Sequence, residues 1–260
     1  MNAPHRYRRR TASTGGTSPG RFHAVVTDVD GTLTDESRRL DPVALQQVRR
    51  LEDSGIPVLL ATGNVLPIAL ALYRSLGLTG PIVAENGGML YRVPAGGEPV
   101  VERLADPRVA RSAYSRLVET GLPVRRLFTD RWRESEVALE PTVPVARVRR
   151  ALAGLPVDVE STGYAIHLME RGAGKLPALE RALGYLGLEP KDCVILGDGD
   201  NDVGMLRAAG FGVSFSSGSA AARRAARHVT HAGYAAGFVE GLKASGILAP
   251  AGFLGRNRTC

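Results

Sequence analysis

The chain is short of cysteine, of lysine and of long apolar runs, and each shortage removes a class of reading. Only two of its 260 residues are cysteine, Cys193 and Cys260. One lies inside an apolar run and the other is the last residue, a spacing that builds neither a disulfide framework nor a zinc site. A reducing, cytoplasmic setting is expected. No stretch reaches the roughly 20 apolar residues that span a bilayer, so no membrane partner is expected. Met1–Gly20 is basic but runs on into TASTGGTSPG. Without an apolar segment this argues against a secretory signal and leaves an organelle transit peptide as the lesser reading. Acidic residues are absent before Asp28, and only three lysines, Lys175, Lys191 and Lys243, stand against 30 arginines.

The formal charge of +7 is not spread over the chain. It resides in five arginines at or before Arg21 and in Arg256 and Arg258, while the stretch between Phe22 and Gly255 balances. The excess therefore reads as two solvated tails, over residues 1–20 and 248–260, and no nucleic-acid partner is expected. What remains is ordinary for a globular protein, with 44% hydrophobic and 23% charged residues.

The residue pattern then gives an order of elements. Ala24 to Thr27 is a β-prone run closed by the Asp30-Gly31 turn. Asp41-Pro42 opens a helix to Asp53, with Val43, Val48 and Leu51 set to pack inward. Ile56 to Ala61 and Pro81 to Ala84 read as buried strands, with a helix between them that follows Thr62-Gly63-Asn64 and ends near Leu76. From about Gly88 to Gly163 the chain becomes Pro- and Arg-rich. Strands are expected at Met89–Val93, Val124–Phe128, Ser135–Leu139 and Val157–Ser161, and helices at Pro107–Thr120 and Val143–Ala153. After that the first pattern returns. A helix is expected at Lys175–Leu186, a buried strand at Cys193–Leu196, and further elements at Gly212–Phe215, Ala220–Arg227 and Ala235–Ala244. The expected fold is α/β: a Rossmann-like core with a parallel sheet over 21–87 and 164–247, interrupted by an α+β module over 88–163.

Four polar clusters follow or close these strands or open a helix, where open parallel sheets bind ligands. Asp28 and Asp30 sit two residues apart, and an aspartate that prolongs an apolar strand demands a cationic partner. Thr62, Gly63 and Asn64 offer a hydroxyl and backbone N–H groups either as a phosphate cradle or as a plain helix cap. Lys175, beside Gly172 and Gly174, is a compact charge in a chain that otherwise uses arginine, and the plainer reading is a surface lysine. Asp198, Asp200 and Asp202 in GDGDND suit Mg²⁺ or Ca²⁺, but Val203 and Ala209 stand where an EF-hand needs glycine and glutamate.

With DVDGT, a strand ending in Thr62, Lys175 and GDGDND in that order, the sequence resembles the haloacid dehalogenase superfamily. An insert between the second and third motifs places it with the cap-bearing Cof and sucrose-phosphate-phosphatase-like branch. TGNVLPIALALYRSLGLTGPIVAENGG, TDRWRE and YAIHLMERG are most similar to the archaeal-type phosphoglycolate phosphatases. Asn64 departs from the arginine of Cof-type members but suits that group. The resemblance spans about Phe22 to Leu242. It implies a phosphatase with Asp28 as nucleophile and Asp30 as acid and base. It implies Mg²⁺ held by Asp28, the Asp30 carbonyl and Asp198, with Asp202 close behind. Thr62, Gly63, Asn64 and Lys175 would hold the phosphate of a small phosphorylated metabolite, in a monomer or homodimer. A phosphosugar phosphatase, of sucrose-phosphate or mannosyl-phosphoglycerate type, and a phosphomutase are the alternatives on the same fold. A binding protein that lost the chemistry is disfavoured by the intact motifs. For a substrate carboxylate, Arg131 and Arg133 are the expected readers, with Trp132 excluding water, against the plainer reading of a hairpin turn salt-bridged to Asp130 or Glu134. His167 is a second candidate that also reads as a core histidine.

Overall fold

The computed structural model describes residues 22–162 and 164–247. Cys260 and the two basic tails lie outside the described residues. Strand β1 (Ala24–Thr27) is apolar at every position but its last and fully buried. It lies in parallel between β2 (Val58–Ala61) and β9 (Cys193–Leu196), at the centre of an eight-stranded sheet. Strands β3 (Ile82–Ala84), β10 (Phe211–Ser214) and β11 (His228–Val229) continue it in parallel, and β4 (Met89–Arg92) and β5 (Val100–Arg103) close one edge antiparallel. Such strands alternate between two buried faces. Val25, Leu60 and Ile82 pack against α1 (Pro42–Asp53), α2 (Leu66–Leu76) and α8 (Tyr234–Ser245). Val26, Leu59 and Ile195 face α5 (Lys175–Gly184) and α6 (Val203–Ala208) on the other side.

Local chemistry explains the helix starts. Asp41 caps α1 by accepting from the N–H groups of Val43 and Ala44, with Pro42 in the first turn. Val48 and Leu51 are buried as expected, but Val43 is 53% exposed and its neighbour Ala44 takes the inward position in that turn. Thr62 caps nothing: α2 starts four residues later, and its N-cap position is Val65.

A second, three-stranded antiparallel sheet has the order β6 (Val137–Leu139), β8 (Ile166–Glu170), β7 (Val157–Ser161). One face buries Val137, Leu139, Ile166 and Leu168 against α3 (Pro107–Glu119) and α4 (Val145–Ala151). The row Ala138–His167–Glu160 points the other way. The expected limits of the insert, 88 and 163, need correction at both ends. Strands β4 and β5 hydrogen-bond into the large sheet, and β8 into the small one. The edge pairing of β4 on β3 is antiparallel, as within the insert, so hydrogen bonding and not the residue pattern assigns it to the core. The strand expected at Val124–Phe128 is also absent. Only Arg126 makes an isolated bridge, to Leu139, and Phe128–Trp132 coils into a short 3₁₀ turn.

Candidate active site

The four motifs converge at the carboxyl ends of β1, β2 and β9 and at the start of α5. The Asp28 N–H still donates to the Leu196 carbonyl at 3.0 Å, so Asp28 prolongs the central strand and its side chain is buried. Lys175, the first residue of α5, is buried as well. Its Nζ donates to Asp28 Oδ1 at 2.7 Å and to Asp202 Oδ1 at 2.8 Å. The cationic partner demanded by the sequence is therefore Lys175, and the surface reading of that residue is excluded. Asp202 Oδ2 accepts from the N–H groups of Asp198 and Gly199, at 3.1 and 2.9 Å. With both oxygens engaged, Asp202 anchors the GDGDND loop onto Lys175.

Carboxylate oxygens of Asp28, Asp198 and Asp202 lie within 4.8 Å of one another. Three carboxylates around one ammonium leave two negative charges in excess. Burial, with repulsion from the neighbouring carboxylates, pushes the Asp28 carboxyl well above its ordinary value against the pull of Lys175. Burial and Asp202 push Asp198 up to about 7. For Lys175 burial pulls the other way, but Asp202 and Asp28 outweigh it and hold the ammonium charged. A hard divalent cation with oxygen ligands fits this donor set and its charge deficit. Gly31 shows how tightly the two motif loops meet. Its φ is +77°, and a Cβ there would stand 2.2 Å from Asp198 Oδ2.

Asn64 Nδ2 donates to Asp30 Oδ2 at 2.6 Å, and the Asn64 N–H donates to Thr62 Oγ1 at 3.1 Å. Asp28, Asp30, Gly63, Asn64 and Asp198 line a cavity of about 590 Å³ whose far wall comes from the small sheet and its flanking loops.

The two arginines expected in that wall behave differently. Arg131 does not line the cavity. It is exposed, stacks on the Phe128 ring at 4.1 Å and donates to the Phe128 carbonyl. Trp132 is 46% exposed beside Phe128 and closes nothing over the site. The 3₁₀ turn is the cause, since it points both side chains outward. Arg131→Ala is therefore expected to change kcat/KM by less than about twofold, as for a surface substitution. Steady-state kinetics on the variant check this. Arg133 does reach the cavity, but its Nη1 is engaged by the Gly63 carbonyl at 3.0 Å and by Glu136. Nor does Arg131 form the expected turn salt bridge, because Asp130 pairs with Arg126 and Glu134 with Arg103. His167 lines the cavity and is also a buried, satisfied histidine, between Glu136 Oε1 at 3.2 Å and Thr162 Oγ1 at 3.3 Å.

Sequence reasoning missed the junction between the sheets. Glu85 and Asn86, at φ of +50° and +52°, follow β3. Glu85 accepts from the N–H groups of Glu134 and Ser135 and from the Ser135 hydroxyl. Asn86 donates to Glu136 Oε2 at 3.1 Å and accepts from Asn201 at 3.0 Å. Burial pushes the Glu136 carboxyl upward, but His167 and Arg133 outweigh it and hold it below its usual range. The AENGG run carried a signal in its polar residues directly after an apolar strand.

The sequence matches the family described as haloacid dehalogenase-like hydrolase over residues 25–132 and 147–242. This chain belongs to the haloacid dehalogenase-like hydrolases. Among similar proteins, the phosphoglycolate phosphatase of Methanothermobacter thermautotrophicus is 38% identical over 223 residues, covering 85% of this chain and 98% of the relative. That of Natronomonas pharaonis is 35% identical over 221 residues, covering 84% and 95%. A solved Thermoplasma acidophilum structure superposes with a TM-score of 0.77 at 26% identity, over 87% of this chain and 99% of that one. A haloacid dehalogenase-like hydrolase from Bacteroides thetaiotaomicron, at 20% identity and a TM-score of 0.67, shares the fold. The family and the shared name of the curated relatives make this haloacid dehalogenase-like hydrolase a phosphatase, an activity that implies a small phosphorylated substrate. Among its described residues no helix is long and apolar enough to cross a membrane.

Proposed function

We propose that the enzyme hydrolyses 2-phosphoglycolate to glycolate and phosphate through a phosphorylated Asp28. The observation that carries the mechanism is the buried contact of Lys175 with Asp28 and Asp202. It holds Asp28 Oδ1 and leaves Oδ2 to attack phosphorus. As that P–O bond forms, the ester P–O bond breaks, and the leaving oxygen takes the proton from Asp30. Asn64 fixes Asp30 through Oδ2, so Oδ1 is the atom that carries the proton. Asp30 then removes a proton from water, which attacks the acyl phosphate and releases Asp28. Lys175 stays charged throughout and stabilises the transferring group. Asp28, Asp198 and the Asp30 carbonyl would hold Mg²⁺, with Asp202 holding their loop. The cation supplies the positive charge that lets a carboxylate approach a phosphate dianion.

The substrate rests on the shared name of the relatives and on a cavity walled by cationic as well as acidic residues. A phosphate-release assay over 2-phosphoglycolate, sugar phosphates and p-nitrophenyl phosphate tests it. The highest kcat/KM is expected for 2-phosphoglycolate. A higher value for a phosphosugar would assign the alternative substrate, and phosphate transfer without release would assign a mutase. In the same assay EDTA is expected to abolish turnover and Mg²⁺ to restore it. Ca²⁺ should restore little, since it takes more ligands at longer distances. Full activity of the metal-free protein would overturn the metal assignment.

A further inference from the structure

With Arg131 outside the cavity, the group that reads the second charge of the substrate has to be found elsewhere. Two arginines line the cavity, Arg38 and Arg133. Arg133 is already neutralised by Glu136, its Nη1 is shared with the Gly63 carbonyl, and its Nε is sealed from solvent without a partner. Arg38 is different in each respect. It is exposed, and among the described residues no carboxylate pairs with it.

Arg38 comes from the core, eight residues after Asp30, in a loop closed by the Thr34–Leu40 bridge. Its N–H donates to the Asp35 carbonyl, while the Asp35 side chain accepts from Arg39. This pins Arg38 at a φ of +62°, a conformation that a side-chain-bearing residue adopts only when its surroundings hold it there. The guanidinium carbon lies 3.8 Å from the centroid of the Tyr164 ring. Tyr164 stands just before β8 and lines the same cavity. Arg38 and Tyr164 line that cavity together with Asp28, Asp30 and Asp198; burial pushes the Tyr164 phenol up, and the three carboxylates push it further. An arginine stacked on an aromatic face keeps its N–H edge free for a planar anion.

We infer that Arg38, braced on Tyr164, is the residue that selects substrates carrying a carboxylate beside the phosphate. The inference rests on the proposed function and names the specificity determinant of that site. Phosphate is handled by Lys175 and the motif loops, and it is common to every monoester. A carboxylate two bonds from the ester oxygen adds a charge that, of the two arginines lining the cavity among the described residues, Arg38 is the one free to meet. Tyr164 supplies the surface that stops the long side chain from turning out to solvent.

The test compares kcat/KM for 2-phosphoglycolate and ethyl phosphate, which differ in the carboxylate, in wild type and in Arg38→Ala, Arg38→Lys, Tyr164→Leu and Tyr164→Phe. The readout is the ratio of the two substrates, so a general loss of activity cancels. Arg38→Ala is expected to lower the ratio about 10- to 100-fold, the range for a hydrogen bond to a charged group. Arg38→Lys should recover part of it, Tyr164→Leu should lower it several-fold, and Tyr164→Phe, which keeps the ring, should preserve it. An unchanged ratio in Arg38→Ala would overturn the inference. So would an equal loss on both substrates, which would make the pair a strap holding the two sheets together. A wild type without preference for 2-phosphoglycolate would instead overturn the substrate reading before Arg38 is touched, and the inference with it.

Discussion

Asp28→Asn is expected to lower kcat by about 10⁴-fold or more while the protein remains as stable as before. The amide has nearly the shape of the carboxylate, so β1 keeps its hydrogen bond to β9. It cannot attack phosphorus. The stability argument is electrostatic. Asp28 is one of three carboxylates facing one ammonium, and burial already raises its pKa. Removing its charge relieves repulsion with Asp198 and Asp202, and Lys175 retains Asp202 as partner. Thermal unfolding of the metal-free variant should therefore give a Tm equal to wild type or higher. Residual turnover within tenfold of wild type would rule out Asp28 as nucleophile.

Lys175→Met should fail in both respects. Without the ammonium, the buried Asp28 and Asp202 and the half-buried Asp198 face one another with no protein cation. Breaking a buried pair by removing one partner costs about 3–5 kcal/mol, a large part of the stability of a typical domain. Asp202 also loses the contact that anchors its loop, so the Asp198 side chain is no longer held against Gly31. The kcat loss should reach at least about 10²-fold, the effect of deleting one donor from a preorganised site. Urea unfolding of the metal-free variant measures the deficit, and Mg²⁺ should recover part of it by replacing the missing charge. An unaltered unfolding midpoint would show that the cluster is already protonated in the native state, which would contradict a charged Asp28–Lys175 pair.

The contrast between these two variants follows from what the sequence made legible. Asp28, Lys175 and the GDGDND loop stood out because charge after an apolar strand, or a lysine among arginines, needs a physical reason. The central strands were legible for a similar cause: β1, β2 and β9 are short, apolar and buried on both faces. Edge elements were not. Strands β4 and β5 run antiparallel like those of the insert, and only their hydrogen bonds assign them to the large sheet. Arg131 and Arg133 looked equivalent in TDRWRE. The 3₁₀ turn at Phe128–Trp132 sends one to solvent and the other into the cavity, a difference no spacing rule carries. Arg38 gave no signal at all. Its place depends on Tyr164, 126 positions further along the chain.

The pairing of β1 with β9 also bears on how the chain is made. Ala24 lies opposite Cys193, so the sheet's central strand acquires its second neighbour only after most of the protein has left the ribosome. At about 5–20 residues per second, the wait is on the order of 10–30 s. During that interval β1 presents one open, apolar flank, the kind of surface that recruits chaperones or other nascent chains. The small sheet with α3 and α4 has its own apolar core and emerges complete in the meantime.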